Sequence, residues 1–448
     1  MKNFSPVQKH RITKILICFC TLIVISAVCF MIPLRPKVSD TEKRELAKFP
    51  EFSFSAISSG EYFADISKWF SDTVPFRDTL MGFNSKIQNF LGTDGVIKGF
   101  NEGAESDDIP DPAAPGNEET LPYVDPTEMQ TDNSETPEDI TYPPDEKDAV
   151  NVEQLGAIVV VDDSGFEYYN FVQSAADNYA KALNTAAARF PTYNIYATIA
   201  PTSADITLNE KVRKNLNVSD QKTAINYILG STSDKVKKFD CFDNIKQHRN
   251  EYVYFRTDHH WTALGAYYCY ESFCQAKGIS PLPLSAYEVR SFDGFLGTFY
   301  NDSGSDPDLG ATPDRVDTYK PPCNYSMTIT DKSGATKSMP LLFDETNAPA
   351  SLKYGTFICG DNPLSTITNA DKPDGETCLV VKESFGNAFV PFLVYHYKTV
   401  YVIDYRYYNG SLASFLSSHQ VNDIIFCNNV SMTRSSSLVT QMANFITG

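Results

Sequence analysis

The sequence predicts an α/β domain with a mostly parallel sheet covered by helices on both faces, preceded by a membrane anchor. After residue 150, short β-branched and aromatic runs alternate with longer stretches of helical periodicity. This alternation is typical of parallel strands joined by crossover helices. Residues 15–32 carry no charge, and a chain of 448 residues is long enough to add a large core to an anchor.

The uncharged stretch at 15–32 is predicted to cross a membrane once. It has eighteen residues and follows a basic tail at 1–14, so the positive-inside tendency places the tail in the cytoplasm. A cleaved signal peptide has similar flanks, but no Ala-x-Ala-like site follows the apolar run. We therefore expect a single-pass protein of the cell membrane whose carboxyl-terminal domain is extracytoplasmic.

Two segments separate the anchor from the main domain. Residues 33–100 are predicted to be helical and to pack on that domain, with two amphipathic helices interrupted at Pro75. Residues 101–150 hold sixteen acidic residues, one lysine and eight prolines, a composition predicted to stay disordered because it buries too little apolar surface. This insert supplies most of the net charge of −18. No basic stripe exists to bind phosphates, which argues against a nucleic-acid partner.

The main domain is predicted to span 151–448. Its region 279–377 is rich in Pro, Gly, Asp and Ser, and it is too long for a plain crossover, so we expect a lid or a small β-rich elaboration there. Strands are predicted at 157–161, 194–200, 252–256, 378–381, 400–403 and 423–427, and helices at 173–189, 222–229, 262–277 and 385–397.

Seven of the ten cysteines lie outside the anchor, and they are widely scattered. They form no Cys-x-x-Cys pair and no zinc pattern. We expect most of them to be small buried apolar residues, with one or two disulfides.

Ser384 lies where the predicted strand 378–381 gives way to the helix 385–397. A serine hydroxyl becomes a useful nucleophile only beside an imidazole, a carboxylate that orients the imidazole, and donors for the developing oxyanion. At this position, backbone N–H groups at the start of the helix are expected to be free to face a reacting carbonyl. The alternative is that Ser384 only caps the helix.

Asp258 and His260 lie two residues apart, just beyond the predicted strand 252–256. A carboxylate this close can fix the imidazole tautomer, so with Ser384 they predict a Ser-His-Asp triad. An Asp-His-His run also fits a helix cap with partly buried histidines, a metal site or a phosphoesterase motif. The other histidines form no second cluster at ligand spacing, and we expect neither a metal nor another cofactor.

Five nearby residues are assigned supporting roles. His259 is expected to point away from the nucleophile and to hydrogen bond behind the triad, and Trp261 to form a wall that holds the turn. Asn387 is expected either to reach the oxyanion or to cap its own helix. Tyr405 and Arg406 follow a strand and could line the rim, where they would suit sugar rings and carboxylates, although strand-end packing explains them equally well.

At these residues the chain resembles the DHHW protein family, named for the tetrapeptide found here at 258–261, and more distantly the alginate O-acetylation proteins of the SGNH-hydrolase-like superfamily. The resemblance implies a three-layer α/β/α fold and the triad Ser384, His260 and Asp258. Glu383 stands where an Asp usually precedes the serine, and no early Gly-Asp-Ser block is present. The similar segments are 42–46, 76–78, 200–203, 254–262, 265–268, 360–363, 382–388 and 404–408.

The expected function is a membrane-anchored, extracytoplasmic, serine-dependent O-acyltransferase. The resemblance implies an acetyl group, a cell-envelope or secreted polysaccharide as substrate, and a multi-pass membrane acyltransferase as the partner that supplies the acyl group. Ser384 would take the acyl group, His260 would act as base and then acid, and Asp258 would orient His260. Two alternatives stay open: a carbohydrate esterase or deacetylase with the same triad, and a non-catalytic polysaccharide-binding assembly protein.

Overall fold

The computed structural model describes residues 158–216 and 218–448, the backbone of 152–155, and separate residues at 38–39, 44–45, 49, 62, 66, 69, 73, 107 and 109–110. The chain divides into two units, 1–95 and 96–448. In the first unit, strands β1 (Val38–Ser39) and β2 (Arg44–Glu45) pair antiparallel. The predicted anchor 15–32 and most of the segments 33–100 and 101–150 lie outside the described residues. Among the residues that are described, no helix is long and apolar enough to cross a membrane.

The second unit alternates strands and helices, which confirms the mixed α/β class. Its strands are β3 (Val152–Leu155), β4 (Ile158–Val161), β5 (Ser164–Glu167), β6 (Asn194–Ala200), β7 (Val236–Lys238), β8 (Glu288–Phe295), β9 (Asp314–Lys320), β10 (Tyr325–Thr330), β11 (Thr336–Met339), β12 (Leu364–Asn369), β13 (Thr377–Lys382), β14 (Thr399–Asp404) and β15 (Asp423–Asn429). Its helices are α1 (Gln173–Arg189), α2 (Ser203–Ile206), α3 (Glu210–Asn215), α4 (Gln221–Gly230), α5 (Phe242–Gln247), α6 (Ala263–Lys277), α7 (Thr298–Asp302), α8 (Pro307–Ala311), α9 (Gly386–Leu393), α10 (Leu412–Ser418) and α11 (Ser436–Thr447).

The main sheet has eight strands in the order β11-β10-β12-β14-β13-β15-β6-β7. Every residue of the central strands β13 and β15 is buried. Because successive side chains of a strand point to opposite faces, burial at every position means that both faces are covered. The covering helices pack in pairs, α1 against α11 and α6 against α9.

The sheet is less parallel than predicted. Strands β14, β13, β15, β6 and β7 run parallel to their neighbours, but β12, β10 and β11 extend the β14 edge antiparallel. These three added strands come from the region 279–377, which therefore contributes part of the main sheet. In addition, the predicted strand 157–161 does not join the main sheet, because β4 pairs antiparallel with β3 and β5 in a separate three-stranded sheet.

The strand predicted at 252–256 is absent. Its apolar side chains are buried, but its backbone pairs locally, through a single antiparallel bridge between Tyr254 and Trp261. The N–H of Thr262 donates to the carbonyl of Val253 at 3.0 Å. Farther along, the N–H of Arg256 donates to the side-chain carboxylate of Asp314, and not to the backbone of a neighbouring strand. The segment is thus a tight hairpin-like turn.

Three smaller differences concern the predicted helix 385–397, the cysteines and the acidic insert. Helix α9 ends at Leu393 and contains Pro391, which lacks the N–H that would continue the ladder. All seven cysteines of the described part are free, so no disulfide of the expected kind is present among them. Asp107, inside the predicted insert, accepts the N–H of Gln173 at 2.8 Å.

Candidate active site

The turn that carries the Asp-His-His-Trp motif is fixed by one buried carboxylate. Asp314, at the start of β9, is fully buried. It accepts the N–H of Thr257 at 2.7 Å, the hydroxyl of Thr257 at 2.6 Å and the hydroxyl of Tyr252 at 2.6 Å. Both donors of Thr257 reach Oδ2, whereas Oδ1 accepts from Tyr252 and also from the N–H of Arg256, at 3.0 Å. The residues immediately before Asp258 therefore have little freedom to move.

Asp258 and His260 contact each other directly. Oδ1 of Asp258 lies 2.6 Å from Nδ1 of His260 and also accepts the backbone N–H of His260 at 3.0 Å. The same carboxylate accepts the N–H of Thr298 at 2.8 Å through Oδ2. An ionised carboxylate has no proton to donate, so Nδ1 of His260 carries the proton of this hydrogen bond. Nε2 of His260 is then left as an acceptor.

Nε2 of His260 lies 2.7 Å from Oγ of Ser384, although 124 residues separate the two in the chain. Asp258 and His260 are only 3% and 6% exposed, whereas Ser384 is partly exposed. The structure thus places the three residues in one hydrogen-bonded series, with the hydroxyl at the accessible end. This geometry allows the imidazole to take the hydroxyl proton as the oxygen attacks a carbonyl carbon.

Ser384 lies in a tight turn between β13 and α9. The N–H groups of Gly386 and Asn387 donate to the carbonyls of Glu383 and Ser384 at 3.0 and 3.1 Å, and the N–H of Phe385 donates to the Glu383 side chain at 3.2 Å. The prediction that these N–H groups are free is therefore wrong, because the tightness of the turn gives each a partner. Within the described part of the chain, the N–H of Ser384 itself has no hydrogen-bond partner.

Glu383 is a buried carboxyl group beside Ser384. One oxygen lies 3.2 Å from Oγ of Ser384, and the other accepts the N–H of Asn429, at the end of β15, at 2.9 Å. Ser384 has a single hydroxyl proton, and His260 is the nearer acceptor. Burial raises the pKa of Glu383, and the charge of Arg406 offsets part of this effect.

Two aromatic side chains hold His260 and the serine turn together. The indole N–H of Trp261 donates to the carbonyl of Phe385 at 2.9 Å, which ties the histidine turn to the start of α9. Tyr354 donates its hydroxyl to the carbonyl of Ser384 at 3.0 Å, and its ring stacks on that of His260. Both contacts link the segments that carry His260 and Ser384.

The charge on Asp258 is stabilised by its neighbours. Burial alone would raise the pKa of Asp258, but the attraction of His260 and His259 and the hydrogen bonds from His260 and Thr298 hold it well below its usual range. Burial lowers the pKa of His259, and the positive charge of His260 lowers it further. At neutral pH the site therefore combines an ionised Asp258 with a neutral His259.

His259 lies beside His260, with ring centroids 3.9 Å apart. Its Nδ1 is 2.6 Å from the hydroxyl oxygen of Thr298, which in turn donates to Asp258 at 3.1 Å. Close approach of this segment requires a glycine at 297, because a Cβ there would lie 2.2 Å from the Cβ of Asp258. His259 thus contacts Asp258 indirectly, through Thr298, and it remains partly exposed.

The residues expected to touch substrate occupy a charged network next to the turn. Asn387 donates to Asp361 at 2.9 Å, and Arg406 donates to Asp404 at 2.8 Å and to Asp361 at 2.8 Å. The fully buried Lys382 bridges the same two carboxylates at 2.9 and 3.0 Å. In this structure Asn387 and Arg406 are therefore hydrogen-bonded to protein groups.

Tyr405 is 5% exposed. Its hydroxyl, like Oδ1 of Asn387, is buried without a hydrogen-bond partner among the described residues. Burial raises the pKa of Tyr405 far above its usual value. Tyr405 is therefore packed at the end of β14, which is the alternative to lining the rim.

Asp258, His259 and His260 offer ligand atoms within 4.8 Å of one another, which a metal ion could use. Both ring nitrogens of His260 and both oxygens of Asp258 are, however, already engaged in hydrogen bonds. Nδ1 of His259 is likewise engaged with Thr298. A metal would have to replace these contacts, so the observed arrangement fits proton transfer better than metal binding.

Three residues of the site were missed by the sequence interpretation: Thr298, Asp314 and Tyr354. All lie in the region 279–377, which was treated as a single elaboration. A signal existed for Asp314, because a lone acidic residue at the start of a strand that follows Pro313 is suited to accept turn donors. Nothing in the local sequence marks Thr298 or Tyr354, whose partners are distant in the chain.

The DHHW protein family model matches residues 42–156 and 123–403. Among solved structures, a DHHW family protein from Eubacterium siraeum is 28% identical, covering 66% of this chain and 98% of its own, with a TM-score of 0.61. Bacillus cereus PatB1 with a sulfonyl adduct is 19% identical, and the match covers 64% of this chain and 98% of PatB1. Its TM-score of 0.54 shows a similar fold. The O-acetyltransferase domain of Pseudomonas putida AlgJ is 13% identical, and the match covers 66% of this chain and 98% of that domain, with a TM-score of 0.35. No curated protein matches the sequence.

Proposed function

The chain belongs to the DHHW protein family, and on that premise we propose that it is a membrane-anchored, extracytoplasmic, serine-dependent O-acyltransferase. We propose acetyl as the acyl group and a cell-envelope or secreted polysaccharide as the acceptor. A multi-pass membrane acyltransferase is the proposed source of the acyl group. The observation that carries the proposal is the hydrogen-bonded series from Ser384 through His260 to Asp258.

The first half-reaction would load the enzyme. Oγ of Ser384 attacks the acyl carbon of the donor as Nε2 of His260 takes the hydroxyl proton, and Asp258 stabilises the resulting imidazolium. The bond between the acyl carbon and the leaving group breaks, and the leaving group receives that proton from His260. The N–H of Ser384 is the donor in the turn that remains available for the oxyanion.

The second half-reaction would repeat the same proton transfers with a sugar hydroxyl. His260 takes the hydroxyl proton, the sugar oxygen bonds to the acyl carbon, and Ser384 leaves with the proton returned by His260. Water in place of the sugar gives an esterase. This second candidate is supported by the same three residues, so the acceptor decides between the two functions.

The proposal is tested with the full-length protein in detergent and 4-nitrophenyl acetate as donor. We expect nitrophenol release that falls by about a thousandfold or more in Ser384→Ala, and covalent labelling of Ser384 by phenylmethylsulfonyl fluoride, located by mass spectrometry. Ser417→Ala, at an exposed position in α10, is the matched control and should behave like the parent. Release that does not depend on Ser384, together with no labelling, would favour the polysaccharide-binding assembly protein.

A further inference from the structure

His259 is the accessible histidine of the site. His260 is 6% exposed and lies under Tyr354, whereas His259 is partly exposed. The two imidazole rings lie 3.9 Å apart at an angle of 35°. The more exposed of the two rings, that of His259, therefore lies directly beside the ring of His260.

The proton positions on His259 follow from its partners. The hydroxyl of Thr298 has one proton, and its strongest acceptor is the ionised Asp258, 3.1 Å away. Oγ1 of Thr298 must then accept from Nδ1 of His259, at 2.6 Å. Since burial and the charge of His260 lower the pKa of His259, the ring is neutral and its Nε2 is a hydrogen-bond acceptor.

Nε2 of His259 takes no part in the contacts that the described residues make. No residue of the described part of the chain donates a hydrogen bond to it, although Nδ1 is held and the ring packs near Phe299 and Phe385. The result is two imidazoles side by side, both oriented through Asp258. One presents its Nε2 to Ser384, and the other leaves its Nε2 without a partner.

We propose that His259 binds the acceptor by receiving a hydroxyl adjacent to the one that attacks, so that the enzyme selects vicinal diols such as neighbouring ring hydroxyls of a sugar. This inference rests on the proposed function. In the second half-reaction one hydroxyl loses its proton to His260 and takes the acyl group from Ser384. The neighbouring hydroxyl keeps its proton and donates a hydrogen bond to Nε2 of His259, and it neither forms nor breaks a covalent bond.

The test separates loading of the enzyme from use of the acceptor. With 4-nitrophenyl acetate as donor, nitrophenol release reports loading, and the acetylated products report how acyl groups divide between alcohol and water. Propane-1,2-diol and propan-1-ol are compared as acceptors at equal concentration. We expect the diol to capture about fivefold more acyl groups per hydroxyl than the mono-alcohol. This is the rate ratio that corresponds to one additional hydrogen bond of about 1 kcal/mol.

Two substitutions of His259 form a matched pair. Asn places its amide near Thr298, as Nδ1 does, but has no atom at the Nε2 position, whereas Gln reaches that position with a polar atom. We expect His259→Asn to lose the fivefold preference for the diol and His259→Gln to keep part of it. The ratio between acceptors is insensitive to a general loss of folded enzyme, so a purely structural role for His259 would not change it.

Equal capture of the two alcohols by the parent enzyme would overturn the inference, as would a diol preference that survives in His259→Asn. Either result is compatible with the proposed function if nitrophenol release still requires Ser384. Absence of Ser384-dependent release would instead refute the proposed function itself.

Discussion

The ring of Tyr354 stacks on the imidazole of His260, with centroids 3.9 Å apart and 11° between the planes. The hydroxyl of the same tyrosine donates to the carbonyl of Ser384. A single side chain from the region 279–377 therefore positions both the proposed base and the backbone of the proposed nucleophile.

Replacing Tyr354 separates these two contacts. Tyr354→Phe keeps the stacked ring and loses one hydrogen bond, so we expect nitrophenol release to fall by about fivefold or less. Tyr354→Ala also removes a buried ring and should cost about 3 kcal/mol in unfolding free energy, with a much larger loss of release. Rates and denaturant unfolding of both variants provide the measurement. Equal damage from Phe and Ala would show that stacking on His260 is unimportant.

The two adjacent histidines should differ sharply in loading of the enzyme. His260→Ala removes the group 2.7 Å from Ser384, and we expect about a thousandfold loss of nitrophenol release or more. His259→Ala removes the ring beside His260 and its contact with Thr298, but not the group that takes the proton of Ser384, so it should retain most of the release. If the order of the two variants were reversed, the assignment of His260 as the base would be wrong.

The depressed pKa of Asp258 predicts how stability depends on pH. Burial opposes ionisation of Asp258, but His260, His259 and the hydrogen bonds outweigh it, so the folded-state pKa lies below the usual value of about 4. Ionised Asp258 thus adds stability that is complete above about pH 5 and is lost as the pH falls below 4. The difference in unfolding free energy between the parent and Asp258→Asn should shrink over that range. A difference that stays constant from pH 6 to pH 3 would contradict this prediction.

Asp314 should be important for stability and, through the turn, for activity. Asp314→Asn replaces an acceptor oxygen with a donor that faces the N–H groups of Arg256 and Thr257, so we expect a loss of at least about 2 kcal/mol in unfolding free energy. Nitrophenol release per folded molecule should also fall, because Asp258 is no longer held in place. Asp344→Asn, at an exposed carboxylate, is the control. Unchanged stability in Asp314→Asn would mean that the turn holds its conformation unaided.

Chelation tests the metal interpretation of the Asp-His-His motif. Because Asp258 and His260 already hydrogen bond to each other and to Ser384, we expect dialysis against EDTA to leave nitrophenol release unchanged. Loss of release on dialysis, restored by added Zn²⁺, would favour a metal site formed by Asp258, His259 and His260.

Elements whose partners follow from local pattern could be predicted from the sequence. The bounds predicted for the strand 194–200 and the helix 173–189 match β6 and α1, and the central strands β13, β14 and β15 are each within two residues of prediction. These segments are long apolar runs or clear helical repeats, so burial and periodicity agree. The interpretation of Ser384, His260 and Asp258 drew on motif chemistry, and the structure brings those three side chains together.

What the sequence did not reveal depends on distant partners. The run 252–256 has the burial and residue types of a strand, but the N–H of Phe255 donates to His260 within the turn and that of Arg256 donates to Asp314, about sixty positions later. No periodicity encodes that choice. The same holds for Tyr354 and Thr298, which contact His260 and Asp258 across long loops. A β-rich elaboration was one of two expectations for 279–377, but the bounds of β10, β11 and β12 and their place in the main sheet were not predicted, because their short, half-exposed sequences resemble loops.

Position 297 has no room for a side chain. Any other amino acid there brings a Cβ to 2.2 Å from that of Asp258, so every single-codon change that alters the residue collides with the carboxylate that orients His260. The collision is with the Cβ that every residue except glycine carries, so a side chain at 297 fits only if the backbone shifts and moves the carboxylate of Asp258. A substitution at this glycine would therefore displace Asp258 from His260 even where the tetrapeptide 258–261 is intact.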